Sequence, residues 1–196
     1  MTKVLIASLQ RCGTQSTTKF LEKITSPSVQ FSPTLPSSHF FGKNLDDIFS
    51  HVKEHEERFC IFSNAPYFAL YDRFANEYPN MKFLLMTRKE EDWVRSFKQL
   101  IKIYGIDSMS MASLQKYLPD IGERYRSGSL SDEDLLHIYN THNDGVISFF
   151  KNNKNFLHLD LLDKDMSKKI KDFLGVKSLA RFEKIDNTKI YNIKNN

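Results

Sequence analysis

Short apolar runs alternate with longer amphipathic segments along the chain, and this pattern predicts strands that alternate with helices. The runs at 3–9 and 81–87 have the length of buried strands, and the second is the clearest strand in the sequence. Each run precedes a segment whose apolar residues recur at helical spacing. Those segments predict helices over about 14–25 and about 90–103.

The rest of the chain continues this alternation. Further strands are expected at 58–63 and 155–161, and further helices over about 43–56, 66–78, 131–151 and 164–174. Ser131 predicts the start of the long helix, and Gly175 predicts the end of the last one. The stretch 27–42 contains three prolines and predicts a loop with at most a short strand, whereas 104–131 has no regular pattern.

Strands that alternate with helices predict an α/β fold of three layers, in which a mostly parallel central sheet is flanked by helices. At 196 residues the chain is expected to form a single domain over 1–196. The carboxyl ends of parallel strands are where such folds bind ligands. Polar residues that directly follow a strand are therefore the candidates for function.

Composition limits the possible settings of this protein. The chain is 40% hydrophobic, and no apolar run approaches the roughly 18 residues that a membrane span needs. The N-terminus lacks a signal-peptide pattern, and two cysteines 48 positions apart are expected to be free thiols. These features predict a cytoplasmic protein.

The charge is uneven along the chain. The net charge of +4 is too small to indicate a nucleic-acid partner. Residues 164–196 carry nine Lys or Arg against four Asp or Glu. This excess is typical of a solvated helix face and a frayed end, or it adds positive potential near an anionic ligand.

The segment Ser8–Ser16 joins the first predicted strand to the first predicted helix. Such a loop directs backbone N–H groups, hydroxyls and the Arg11 guanidinium toward one spot, which suits a phosphate or sulfate group. It departs from the Walker A pattern, because Thr14 replaces the lysine and Gln15 replaces the metal-binding hydroxyl. The loop therefore predicts an anion that is bound without a metal ion.

A second set of anion-binding residues follows the strand at 81–87. Arg88 comes directly after that strand, and Ser96 lies eight residues later on the predicted helix. One interpretation is structural, with an arginine that braces the strand end and a serine on a helix surface. The other is a second anion pocket, which together with the first would suit a ligand that carries two separated phosphate-like groups.

These segments resemble those of sulfotransferases that use 3′-phosphoadenosine-5′-phosphosulfate (PAPS). Ser8-Leu9-Gln10-Arg11-Cys12-Gly13-Thr14-Gln15-Ser16 resembles the 5′-phosphosulfate loop of that family. Residues 82–96 resemble its 3′-phosphate motif, and 155–175 resemble a later strand and a helix that ends in Phe-Leu-Gly. The resemblance implies a P-loop-like sulfotransferase fold. It also implies metal-independent transfer of a sulfuryl group from PAPS to a hydroxyl or amine of a carbohydrate or small-molecule acceptor.

The resemblance also implies a role for individual residues. Arg11 takes the place of the family's catalytic Lys or Arg, which contacts the oxygen between sulfur and the 5′-phosphate. Arg88 and Ser96 would bind the 3′-phosphate. The residues that would hold the 5′-phosphate are Cys12, Gly13, Thr14, Gln15 and Ser16. The product would be adenosine 3′,5′-bisphosphate.

The general base is less well determined. Ser37-Ser38-His39-Phe40-Phe41 resembles a stretch of glycosaminoglycan sulfotransferases, but the family's catalytic Glu is Ser37 here. His39 is retained and is the candidate base. Its alternative is a loop histidine packed beside the two phenylalanines. Asn64 stands where other branches carry a His or Asp, and an amide cannot accept the proton.

Two other functions are compatible with parts of this pattern. A protein that binds adenosine 3′,5′-bisphosphate or PAPS with little or no catalysis would share both phosphate segments, and would explain the missing acid at 37 and 64. A phosphoryl-transferring P-loop kinase needs the Walker lysine and hydroxyl that are absent. The acceptor would contact 27–57 and 104–131, and neither its identity nor the oligomeric state follows from the sequence.

Three residues near these motifs have roles that the sequence leaves open. Cys12, at a helix N-terminus, could be a reactive thiolate. Trp93 is expected to pack in the core or against a helix rather than to stack on adenine. His142, with Asn143, could face the site from the long helix.

Overall fold

A computed structural model of the chain describes residues 2–25, 44–53 and 60–184. The strands within these ranges are β1 (Val4–Ile6), β2 (Ile61–Phe62), β3 (Lys82–Thr87) and β4 (Phe156–Asp160). The α-helices are α1 (Thr14–Ile24), α2 (Leu45–Lys53), α3 (Tyr71–Glu77), α4 (Glu90–Tyr104), α5 (Ser108–Leu114), α6 (Ile121–Ser127), α7 (Asp132–Phe149) and α8 (Met166–Leu174).

The four strands form one parallel sheet in the order β2-β1-β3-β4. The chain passes from β1 to β2 in one direction and from β3 to β4 in the opposite direction. Because such connections are right-handed, α1 and α4 belong to opposite faces of the sheet, which gives three layers. The predicted α/β fold is thus confirmed. The order reverses between β1 and β3, so the ligand crevice is expected at their carboxyl ends.

Strand β1 is shorter than the predicted run at 3–9, although its extension stays buried. Ala7 N still donates to Leu84 O at 2.8 Å, but beyond it the Ser8 hydroxyl accepts from Met86 N at 2.6 Å. A side chain thus replaces the backbone in the ladder. The backbone of the following residues is therefore free to turn away from β3 into the loop.

The residues predicted to begin the long helix and to end the last helix are confirmed. Ser131 Oγ accepts from Asp134 N at 3.1 Å, and the Asp134 carboxylate accepts from Ser131 N at 2.9 Å, which completes a capping box at the start of α7. Gly175 ends α8 in the left-handed conformation with φ of 68°.

Two expectations for the middle of the chain are wrong in detail. The helix expected over 66–78 is a 3₁₀ turn at Tyr67–Ala69 followed by α3, because Leu70 leaves the helical region with φ of −106°. The segment 104–131, expected to be irregular, contains the short helices α5 and α6. The predicted loop at 27–42 lies outside the described residues, as do parts of the helix expected over 43–56 and of the strand expected at 58–63.

None of the helices within 2–25, 44–53 and 60–184 is both long enough and apolar enough to cross a bilayer.

Candidate functional site

The loop between β1 and α1 turns sharply at two residues in the left-handed region. Arg11 has φ of 70° and Gly13 has φ of 73°. A Cβ atom at Gly13 would overlap the Leu161 side chain, which reaches over from the end of β4. Glycine is therefore favoured at 13 by the backbone angle, and a Cβ there would also require the Leu161 side chain to move.

The N-terminus of α1 opens at the end of this loop. The first hydrogen bond of the helix runs from Thr17 N to Gly13 O at 2.9 Å, so the amides of 14–16 precede it and are directed out of the helix end. Such amides and the helix dipole favour an anion. The buried Thr14 hydroxyl donates to Asn64 Oδ1 at 2.8 Å, whereas Gln15 is exposed and Ser16 is buried.

The structure brings Arg11, Arg88 and Ser96 together at the crevice between β1 and β3. Arg11 Nε donates to Ser96 Oγ at 2.9 Å. Arg88 Nη1 donates to the Arg11 carbonyl oxygen at 3.2 Å. The Arg11 guanidinium thus meets a hydroxyl of α4, and the Arg88 guanidinium meets the backbone of the loop that carries Arg11. This concentration of positive charge and donors can bind more than one anionic group.

The backbone of Arg88 is held by Tyr139 from α7. The Tyr139 hydroxyl accepts from Arg88 N at 3.0 Å and donates to Arg88 O at 2.5 Å. Burial raises the pKa of Tyr139 to about 12, with a smaller contribution from Cys12, so the phenol keeps its proton near neutral pH. This one side chain therefore fixes both backbone polar groups of the arginine that leaves β3.

Trp93, on α4, holds the loop between β1 and α1. Its indole Nε1 donates to Gln10 O at 2.8 Å, and its ring is fully buried. It stacks on Phe97 with a centroid separation of 4.8 Å and packs against Tyr139 at 5.0 Å. The expectation that Trp93 packs in the interior is confirmed, and its hydrogen bond ties α4 to the loop.

His142 lies beneath the loop and does not face the site. Burial lowers its pKa to about 3, so the ring is neutral near pH 7. Because a carbonyl oxygen only accepts, the proton is on Nε2, which donates to Ala7 O across 2.7 Å. Nδ1 then accepts from the Tyr117 hydroxyl at 2.8 Å. The suggestion that His142 faces the site is therefore wrong.

Cys12 is not a reactive thiolate. Its side chain is completely buried, and burial raises the pKa of the thiol to about 12, against a smaller opposing effect of Arg88. The thiol is thus protonated and inaccessible. Any contact of Cys12 with an anion would be made by its backbone.

Sequence reasoning missed Tyr139 and the supporting role of His142. Both lie on α7 with Asn143 and Val146, at the i, i+3, i+4, i+7 spacing of one buried helix face. Polar side chains within such a face need partners in the interior. Their presence could have indicated that this face supports functional loops.

The remaining predicted site residue is His39, and with Ser37 it lies outside the described residues. Within the ranges that the structure describes, no group of three or more His, Cys, Asp or Glu residues is arranged to hold a metal ion. The residues of the site present guanidinium, amide and hydroxyl donors, which are ligands for anions.

A family model and a solved structure show what this chain is similar to. A family model described as a sulfotransferase domain matches residues 3–188. A crystal structure of a sulfotransferase from Alicyclobacillus acidocaldarius superposes with a TM-score of 0.58 at 15% sequence identity, over 100% of this chain and 90% of that chain. At this identity the structural likeness supports the fold alone. None of the curated proteins matches the chain.

Proposed function

We propose that this chain, which belongs to the sulfotransferase domain family and is thus a transferase, uses PAPS as its sulfuryl donor. The observation that carries the proposal is the meeting of Arg11, Arg88 and Ser96 at the point where the strand order reverses. PAPS carries phosphate groups at both the 3′ and the 5′ position. Two sets of anion-binding residues, one after β1 and one after β3, suit such a donor.

The two ends of the donor would be bound by different groups. The 5′-phosphosulfate would lie against the N-terminus of α1, where the amides of 13–16 and the helix dipole favour negative charge. The 3′-phosphate would be bound by Arg88 and Ser96. Arg88 suits this role because Tyr139 already fixes its backbone, so little freedom is lost when the phosphate binds.

Arg11 would act at the reacting end. As the acceptor oxygen bonds to sulfur, the bond from sulfur to the bridging oxygen breaks, and negative charge develops on the 5′-phosphate. A guanidinium beside that oxygen stabilises the charge as it forms. The bond of Arg11 to Ser96 uses Nε, so both Nη groups remain as the donors with which it would contact the bridging oxygen.

The proton of the acceptor hydroxyl must pass to a base during this step. The amide oxygen of Asn64 accepts a hydrogen bond from the Thr14 hydroxyl, so this side chain holds the start of α1. An amide has no ionisable group and cannot act as the base. His39 stays the predicted base, because an imidazole changes charge near neutral pH.

A second candidate function is binding of PAPS or adenosine 3′,5′-bisphosphate without efficient transfer. It is favoured by the amide at position 64, at the end of β2, where an acidic or basic side chain would serve as a base. Both functions predict donor binding, and only the first predicts turnover.

The two functions are separated by measuring transfer and binding in parallel. Transfer of labelled sulfate from PAPS to a panel of acceptors gives turnover, and calorimetric titration with adenosine 3′,5′-bisphosphate gives affinity. Arg11→Ala is expected to abolish turnover and to retain most of the affinity. Arg88→Ala is expected to weaken binding by about 1.5–3 kcal/mol, as for a charged hydrogen bond. Arg95→Ala is the control, because this arginine on α4 is exposed and pairs with Asp92.

Each outcome has a defined meaning. If the wild-type protein does not bind adenosine 3′,5′-bisphosphate, the donor is not PAPS. Tight binding without transfer to any acceptor supports the second function. Equal affinity in the wild type and the Arg88 variant refutes the assignment of the 3′-phosphate site.

A further inference from the structure

A cavity of about 290 Å³ lies beside the loop between β1 and α1. Its walls come from the second half of α4, from the segment that leads into α5, and from the loop after β1. The apolar and aromatic lining residues are Phe97, Leu100, Ile101, Tyr104 and Ile106. This volume is at the lower end of the roughly 300–1,000 Å³ that is usual for ligand pockets. The cavity therefore suits a small molecule.

The cavity adjoins the two segments that carry the proposed reacting groups. Gln10, which lines it, directly precedes Arg11, and Phe97 directly follows Ser96. Arg11 and Ser96 are themselves joined by a hydrogen bond of 2.9 Å. The cavity is thus within one residue of both partners of this bond along the chain, which makes it the candidate place for the acceptor.

The polar part of the lining is already hydrogen-bonded within the protein. Gln10 Nε2 donates to Ser110 Oγ at 2.9 Å, and Ser110 Oγ donates to the Asp107 carboxylate at 2.8 Å. The same carboxylate also accepts from Ser110 N at 2.8 Å, which caps the start of α5. A sugar would bring many hydroxyls to a lining in which Gln10, Asp107 and Ser110 already bond one another, and each buried hydroxyl left without a partner is costly.

The charge of the lining adds a second restriction. Asp107 contributes a carboxylate to the wall, and a carboxylate or sulfate on the acceptor would be repelled by it. Apolar contacts with α4 favour a hydrocarbon or aromatic body. Together these features select a neutral acceptor with a mostly apolar body and one hydroxyl.

We propose that this cavity is the acceptor site, and that it takes small neutral phenols or alcohols in preference to carbohydrates and anionic acceptors. The inference rests on the proposed function. The acceptor oxygen forms the new bond to sulfur, the bond from sulfur to the bridging oxygen breaks, and its electron pair stays on the 5′-phosphate. The proton of the hydroxyl passes to the general base, for which His39 is the prediction.

The acceptor preference is tested with the full-length protein and labelled PAPS. The probes are 4-methylphenol, its anionic analogue 4-hydroxyphenylacetate, and N-acetylglucosamine. The neutral phenol is expected to exceed each of the others at least about tenfold in kcat/KM, the discrimination that one pocket contact can give. Preference for the sugar or for the anionic phenol would overturn the inference.

The position of the site is tested by filling the cavity. Ile101→Trp places a larger ring into it, and Ile103→Trp is the matched control, because Ile103 is on the same helix, outside the lining, and 45% exposed. The first change is expected to lower kcat/KM for 4-methylphenol at least about tenfold while the Kd of adenosine 3′,5′-bisphosphate stays within about twofold. The control should change neither. Ile106→Trp, in the segment before α5, repeats the test if the α4 variant does not fold.

A binding measurement keeps the inference testable without turnover. In the complex with adenosine 3′,5′-bisphosphate, 4-methylphenol should bind to the wild type and to the Ile103 variant, and not to the two cavity variants. Equal phenol binding in all four proteins, or none in the wild type, would show that the cavity is not the acceptor site. If adenosine 3′,5′-bisphosphate itself does not bind to the wild type, the proposed function fails instead.

Discussion

Gly13, in the loop between β1 and α1, is a position where one added carbon atom has two structural costs. Gly13→Ala imposes a left-handed conformation on a residue with a Cβ, at a cost of about 1–2 kcal/mol. The new Cβ also meets Cδ2 of Leu161, the end of a half-buried side chain, and moving that side chain away from its preferred rotamer costs about 0.5–1.5 kcal/mol more. We therefore expect a loss of roughly 1.5–3.5 kcal/mol in the free energy of unfolding, which typical stabilities of about 5–15 kcal/mol can tolerate.

A matched control separates the two contributions. Gly128 has φ of 74°, and a Cβ there meets no atom of the described residues within 4 Å. Gly128→Ala should therefore lose only the part of the free energy of unfolding that the backbone conformation contributes. The further loss in Gly13→Ala then measures the contact with Leu161. Urea unfolding of both variants gives this difference. Titration with adenosine 3′,5′-bisphosphate should show weaker binding for the variant at 13 and unchanged binding for the variant at 128.

A double-mutant cycle identifies the contact directly. Leu161→Ala removes the atoms that the new Cβ would meet, so its cost should be smaller in the Gly13→Ala background than in the wild type. The expected coupling is about 0.5–1.5 kcal/mol, equal to the relieved overlap. If the variant at 13 is no less stable than the variant at 128, or if the cycle shows no coupling, the close packing of the β4 end on this loop is refuted.

Two further predictions concern the residues that hold the loops. Tyr139→Phe removes both hydrogen bonds to the Arg88 backbone. The binding free energy of adenosine 3′,5′-bisphosphate, measured by calorimetry, should therefore weaken by about 0.5–1.5 kcal/mol. A value equal to that of the wild type would contradict the role of Tyr139. Burial lowers the pKa of His142 from 6.5 to about 3, so below pH 6.5 the unfolded chain binds a proton that the folded chain excludes. The free energy of unfolding should therefore drop as the pH falls from 6.5 to 3, by up to about 1.4 kcal/mol per pH unit. His142→Gln should reduce this slope in urea titrations.

The elements that position the site were predictable because their signals are local. Strand β3 is a continuous apolar run, and the helices that begin at Ser131 and end at Gly175 carry their own capping residues. Once the strands were known to be parallel, the placement of Arg11 and Arg88 at one edge followed from topology alone. The crevice could therefore be located before any side-chain contact was known.

The contacts that shape the site were not predictable, because they join residues far apart in sequence. Tyr139 of α7 meets Arg88 after β3, and Trp93 of α4 meets Gln10 in the loop after β1, only because the folded chain packs these helices against the strand ends. The left-handed angle at Arg11 has no local signal, since a non-glycine residue rarely adopts it. The early end of β1 depends on the hydroxyl of Ser8 reaching the backbone of β3.

The two phosphate segments support each other and do not form independent pockets. Arg88 Nη1 bonds the carbonyl of Arg11, and Arg11 Nε bonds the hydroxyl of Ser96, so the residues expected at the 3′ end also hold the arginine expected at the 5′ end. Removing Arg88 would thus release the backbone of Arg11 as well as weaken a phosphate contact. Effects of residues that share partners in this way do not add. The loss of affinity in the Arg88 variant therefore includes displacement of the loop. Turnover of the Ser96→Ala variant should then change together with its donor affinity, because the same hydroxyl orients the Arg11 guanidinium, which is the proposed catalytic group.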